Sequence, residues 1–245
     1  MYGLFSFIQF PMVFLINHLK TGVIFLLFCL AIQVASAQDL KSFFGVRSGI
    51  SFPVGDYSAT DLERGSFAQP GFNVNAEGAW YFSKYLGAGF TAGLNLHPVD
   101  VASLGRAQVN REPFLTDVVI RSEAYRVINL MPAIYGACRI TGNFTVNGKI
   151  GAGLLYAQTP YQLYKPDYYL LPDKWEEVTS ASDQKFSWQA GIGITWKISS
   201  CLGLTLQSDV MYDMLEFTFN TASGPRTDKR QIAMINLLTG FNINF

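Results

Sequence analysis

The chain has 245 residues and a formal net charge of zero; charged residues make up only 15% of it, and aromatic residues another 15%, with 20 Phe and 12 Tyr. Soluble domains carry about a quarter of charged residues, so a surface built from this composition is poorly hydrated. No Lys/Arg run exceeds two residues, which leaves no basic footprint for nucleic acid.

In chain order, the first predicted element is a leader. Lys20 precedes the apolar stretch GVIFLLFCLAI, and ASAQ follows with Ala35 and Ala37 in the small-x-small arrangement of a signal-peptidase site. Residues 1–37 are therefore read as a cleaved signal peptide and 38–245 as one mature domain, with the start at Met1 or Met12. The apolar core is shorter than the roughly 20 residues of a spanning helix. Cys29 follows Phe28 rather than a small residue, which argues against lipidation. Cleavage removes Lys20 and no acid, leaving 17 basic and 18 acidic residues, with Cys138 and Cys201 as the remaining thiols.

From residue 43 onward, segments of period two recur. Eight strands are predicted at 43–52, 70–82, 85–97, 124–138, 143–157, 185–198, 201–215 and 230–245. The spacers SK, RITG and SS are hairpin-sized, whereas 53–69, 98–123, 158–184 and 216–229 are long, and the two kinds alternate. Strict alternation and an even strand number predict an all-β, eight-stranded antiparallel up-and-down transmembrane β-barrel in the outer membrane, with both termini periplasmic. About ten residues at about 3.3 Å each, tilted near 45°, rise about 23 Å, which matches the apolar band of such a barrel.

Each strand has a greasy side and a polar side. In the sixth, Phe186, Trp188, Ala190, Ile192, Ile194, Trp196 and Ile198 oppose Ser187, Gln189, Gly191, Gly193, Thr195 and Lys197. A sandwich shows the same alternation. Trp80, Phe82, Phe186 and Trp196 near strand ends favour a membrane girdle, and glycines crowding the polar side favour a narrow lumen. The greasy side then meets outer-membrane lipid. The polar side places Arg47, Glu77, Lys149 and Asp209 near mid-strand, with Asn129, Gln189 and Asn236 alongside. An Arg47–Glu77 pair on neighbouring strands and a Lys149–Asp209 pair across the lumen are expected, giving a neutralised plug and no open pore. An ion path or catalytic cluster is the functional alternative. Pro132, which lacks an N–H, predicts a bulge in its strand.

The only mature histidine, His97, is expected to be exposed at the outer end of the third strand, with Ser103 and Asp100 near in sequence. These three are the candidates for a lipid-modifying hydrolase. No metal-ligand spacing and no cofactor motif occurs, so no cofactor is expected. Cys138 and Cys201 fall on strands almost opposite in the ring, too far apart for a disulfide, and are expected to be free thiols. The stretch 158–184 carries Tyr161, Tyr164, Tyr168, Tyr169 and Trp175 among prolines, a surface suited to recognising an envelope protein or a surface ligand.

FFGVRSGISFPVGDY opening the first strand, RVINLMPAIYGACR in the fourth and the aromatic last strand resemble the Bacteroidetes outer-membrane β-barrel domain labelled PorT-like, over about residues 41–245. Asn129, Leu130, Met131 and Pro132 stand where that family has Leu-Glu-Ile-Pro, so its acid is not retained. The resemblance implies a barrel, and it implies that Phe241, Ile243 and Phe245 form the signal read by the barrel-assembly machinery. The label covers many barrels of unknown role; its founding member implies, as an alternative, an accessory part of a type IX-like secretion or surface-assembly complex. The reading is a non-enzymatic barrel acting through its long loops.

Overall fold

The computed structural model describes residues 42–169, 174–221 and 224–245. The predicted signal peptide, residues 1–37, lies outside them, as do 170–173 and 222–223 of two predicted loops. The strands are β1 (Phe43–Pro53), β2 (Gly71–Tyr81), β3 (Leu86–His97), β4 (Leu115–Ser122), β5 (Tyr125–Arg139), β6 (Phe144–Gln158), β7 (Gln162–Tyr168), β8 (Glu176–Val178), β9 (Ser182–Lys197), β10 (Leu202–Thr221) and β11 (Gly224–Asn244). One α-helix, α1 (Val101–Arg111), lies between β3 and β4.

Eight strands close into a ring in the order β1-β11-β10-β9-β6-β5-β3-β2, every pair antiparallel. These are the eight predicted strands. The seam runs from Phe43↔Asn244 to Pro53↔Met234. The greasy side of every strand points outward: Trp188 is 48% exposed and Ile192 63%, which excludes their packing between two sheets. In water each such side chain forgoes about 1.5–3 kcal/mol of burial, so a continuous band of them requires hydrocarbon around it. Trp80 and Phe82, in edge contact with centroids 6.4 Å apart, and the stacked pair Phe144–Trp196 at 6.3 Å mark the rim near the short turns. No described helix is long and apolar enough to cross a membrane; the strands do the crossing.

The structure corrects the sequence reading of the fold in four places. Stretches 98–123 and 158–184 are not plain loops: they hold α1 and a separate sheet of order β4-β7-β8. Stretch 216–229 is not a long loop either, because β10 and β11 stay paired out to Thr221↔Gly224. Pro132 makes no bulge. The β5–β6 register is the same at Leu130↔Leu154 and Ala133↔Gly151, which puts Pro132 opposite Ala152, and its diagonal neighbour Gly153 leaves room for the proline ring. A Cβ on Gly153 would stand 3.1 Å from Pro132 Cδ.

The fourth correction concerns the lumen, which is layered rather than polar throughout. At the short-turn end Phe43, Tyr81 and Tyr135 pack with Ala79, Ala133 and Ala137. Charged and amide side chains fill the middle. Above them Val127, Met131, Leu155, Met211, Leu215, Phe217, Ile232 and Met234 form a buried apolar layer, closed by Tyr57 from the 3-10 turn Gly55–Tyr57. Beyond Val210 the sequence MYDMLEFTF is apolar at both parities, so alternation alone does not show that Met211, Leu215 and Phe217 face inward.

Candidate binding site over a sealed lumen

The middle layer is built around Glu77. Its carboxylate is paired with both Arg47 and Lys149, and accepts from Gln207 Nε2 at 2.8 Å. Lys149 also meets Asp209 Oδ2 at 2.9 Å, and Gln207 Nε2 donates to Asp209 Oδ1 at 2.7 Å. Gln189 Nε2 donates to Asp209 Oδ2 at 3.1 Å, and Asn129 Nδ2 to Gln189 Oε1 at 3.4 Å. Arg47 Nη2 donates to Asn242 Oδ1 at 3.1 Å. Both expected pairs are present, but Lys149 also reaches Glu77 and so joins them into one network rather than two bridges. Asn236 is buried at the same level without joining it; its Oδ1 has no partner. Gln207, Asn242, Thr91 and Tyr135 are members that sequence reasoning did not single out. Tyr135 Oη donates to Glu77 Oε2 at 3.5 Å and shares a 3.1 Å hydrogen bond with Thr91 Oγ1. Gln207 had a legible signal, standing between Thr205 and Asp209 on the same strand face.

Glycine makes the crowding feasible. At Gly191 a Cβ would lie 3.0 Å from Lys149 Cε and in the space of the Asp209 carboxylate. The layer has two acids and two bases, each at most 5% exposed, which balance in formal charge. It blocks the lumen, and the apolar layer above blocks it again.

His97 is buried rather than exposed. Its Nε2 shares a hydrogen bond with Ser51 Oγ at 2.8 Å and its Nδ1 with Tyr57 Oη at 3.1 Å. Ser51, Tyr57 and His97 are each 0% exposed, so no substrate reaches this relay. The suggested partners are elsewhere: Asp100 is the N-cap of α1, accepting from Ser103 N–H at 3.0 Å and from Ser103 Oγ at 2.7 Å. Those two bonds hold the Asp100 carboxyl below its ordinary value. A hydrolase built on His97, Ser103 and Asp100 is therefore not assembled. No cluster of His, Cys, Asp and Glu suited to a metal occurs among the described residues. Cys138 and Cys201 are free and exposed.

The open chemistry lies above the lumen. Four separate segments enclose a half-open vestibule of about 750 Å3. The 53–69 connection supplies Leu62, Ser66 and Phe67, and α1 supplies Leu104, Gln108 and Arg111. β7 and β8 add Gln162, Tyr164, Glu177 and Val178, and the projecting β10–β11 ribbon adds Phe219, Arg226, Asp228 and Arg230. The floor is held by the buried cluster Phe67, Val99 and Leu104, with Tyr125 and Tyr164 against it. Tyr125 Oη donates to Ser66 O at 3.1 Å, and Arg230 Nη1 to Gly65 O at 2.6 Å, tying connection, β5 and ribbon together. Arg226 grips Asp228 in two bonds of 2.9 Å, and Arg230 lies 3.7 Å from the same carboxylate. Two guanidiniums thus share one acid on this wall. Burial pushes the Tyr164 phenol up to about 12, so it stays a neutral donor.

Of the five aromatic residues proposed for recognition, only Tyr164 lines the vestibule. Tyr168 Oη donates to Glu112 Oε2 at 3.0 Å, Trp175 lies under the Arg121 guanidinium at 5.4 Å, and Tyr169, just past the end of β7, is 80% exposed. Tyr161 stands just before β7, outside the vestibule lining. At the opposite end, Phe241, Ile243 and Phe245 are exposed on the outward face, and Phe245 N–H donates to Ser42 O at 2.9 Å.

No family model matches the chain, and no curated protein does. Solved barrels do. Pseudomonas aeruginosa OprG superposes with a TM-score of 0.47 at 10% identity, over 86% of this chain and 99% of its own. Neisserial surface protein A gives 0.46 at 7% identity, over 83% and 97%. A major outer membrane protein of Thermus thermophilus gives 0.46 at 13%, over 83% and 99%. These are likenesses of fold; the barrel itself rests on the strand pairing above.

Proposed function

We propose that the protein is an outer-membrane barrel whose lumen is closed and whose work is done by the vestibule, which receives a ligand at the cell surface. In this reading residues 1–37 export the chain and are removed, both termini lie in the periplasm, and the exposed aromatic end of β11 is the mark by which the assembly machinery recognises its client. Membership of the PorT-like group is part of the proposal, supported by the first-strand and fourth-strand motifs.

The observation that carries the reading is that a pocket within the usual range of ligand sites, about 300–1,000 Å3, is built from four chain segments over a lumen blocked twice. The test is photocrosslinking in intact cells. Benzoylphenylalanine at Gln108 or Val178 faces the vestibule, and at Val119 it stands outside. Mass-spectrometric adducts at the first two positions, absent at Val119 and lost on Tyr164→Ala, are expected. Equal labelling at all three positions would count against a vestibule ligand. A place in a secretion or surface-assembly complex is the second reading. It is favoured by Phe114 and Tyr169, 75% and 80% exposed and joined backbone to backbone at 3.4 Å.

A further inference from the structure

Outside the vestibule, the wall formed by β5, β6, β9 and β10 carries a second concavity. It is a groove of about 1060 Å3 on the outward, apolar face. Gly136 stands opposite Gly148, and Ala190 and Ser208 continue the floor beside Ile134 and Ile192. Packing within the barrel does not require the two glycines. A Cβ on Gly136 meets nothing nearer than Tyr85 O at 3.9 Å, and one on Gly148 nothing nearer than Gly191 O at 3.6 Å. Both are ordinary van der Waals contacts, unlike the inward Gly153, whose Cβ would lie 2.9 Å from Met131 Cα. The hollow is thus left in a surface where larger side chains fit.

The groove ends at the short-turn rim. Tyr85 lines it, and Lys84 Nζ stands 5.4 Å from the centre of the Tyr85 ring. The turns 82–85, 140–143 and 198–201 contain no Asp or Glu, and Lys84 lies in the first of them; Arg139 and Lys197 line the mouth of the lumen instead. A hydrocarbon-facing hollow that opens beside a lysine, with no acid in the neighbouring turns, matches a molecule with an apolar tail and an anionic head.

We propose that this groove holds one acyl chain of an anionic glycerophospholipid from the leaflet at the short-turn end, with Lys84 meeting its phosphate. A chain seated in the hollow touches wall on several sides, whereas one lying on a flat wall touches it on one. The ammonium beside Tyr85 sits at headgroup level, where a charge-assisted hydrogen bond to phosphate is strong.

The test is native mass spectrometry of the detergent-purified barrel with added dioleoylphosphatidylglycerol or dioleoylphosphatidylcholine. The wild-type protein should retain one phosphatidylglycerol about tenfold more tightly than phosphatidylcholine, the factor a single charge-assisted contact brings. Gly148→Leu, which fills the groove, should abolish retention of both lipids. Lys84→Gln changes only the rim and should remove the preference while leaving a weak, headgroup-blind adduct; it tests the headgroup contact even where Gly148→Leu fails to fold. Equal retention of the two lipids by wild type, or retention unchanged in Gly148→Leu, overturns the proposal. So does a dimer that Gly148→Leu dissociates, since the occupant is then a second copy of this chain.

Discussion

Glu77 holds two cations at once, and its loss is expected to be felt more than that of either cation. Glu77→Gln leaves Arg47 and Lys149 buried against Asp209 alone, and removing one partner of a buried ion pair costs about 3–5 kcal/mol. Urea unfolding of the barrel in lipid vesicles, wild type against Glu77→Gln, measures this. The double variant Glu77→Gln/Lys149→Met, which restores neutrality, should recover part of the loss. At the relay above, Tyr57→Phe removes one hydrogen bond to His97 and should cost about 1 kcal/mol in the same assay. The charged members of the lumen were legible because a charge on the polar side of a spanning strand has no other place to go. His97 was not: its burial comes from the 53–69 connection folding back so that Tyr57 covers it, a contact 40 residues away in sequence that periodicity does not encode.

Elements that leave the bilayer lose the signature that made the spanning strands readable. Above Met214 the outward side of β10 and β11 carries exposed pairs such as Glu216–Lys229 at 3.0 Å, while Leu215 and Phe217 are greasy on the inward side, so the polarity of the spanning strands is reversed there. The ribbon's Thr, Asn, Gly and Pro content reads as a loop, and pairing with the neighbouring strand decides otherwise. α1 was hidden for a related reason, being short and polar, with only Leu104 and Gly105 buried. Its start depends on the Asp100 cap, and Asp100→Ala should cost the helix about 1 kcal/mol, read as faster amide exchange over Val101–Arg111. The sign of the pH dependence follows from the lowered carboxyl value. The cap contributes fully above the unfolded-state value of about 3.9, and its contribution fades as pH falls through the lower folded value. Exchange in α1 should therefore accelerate at acid pH in wild type and be nearly pH-independent, after intrinsic correction, in Asp100→Ala.

For the molecule as a whole, the strict alternation of short with long connections failed at β10–β11, which stay paired out to Thr221↔Gly224, whereas the number of ring strands and their antiparallel order lay in the sequence. Hydrocarbon outside and closure of the ring impose them on every strand alike. The lumen's layering and the vestibule did not show, since both arise from side chains of distant strands and connections meeting in three dimensions. The sealed lumen carries a prediction at this scale. Wild-type barrel in planar bilayers should give no conductance steps, and Phe217→Ala should give none either, because the charged layer below remains closed. Steps from the wild-type protein would remove the plug from the account.

The pairing of β1 with β11 makes insertion an all-or-none event. Until the final strand arrives, β1 and β10 each present bare amides and carbonyls to lipid, where nothing else can satisfy them. A prematurely terminated copy lacking β11 therefore has no stable home in the membrane and stays open to degradation. Ring closure thereby doubles as a quality check, admitting only copies whose last strand has been made.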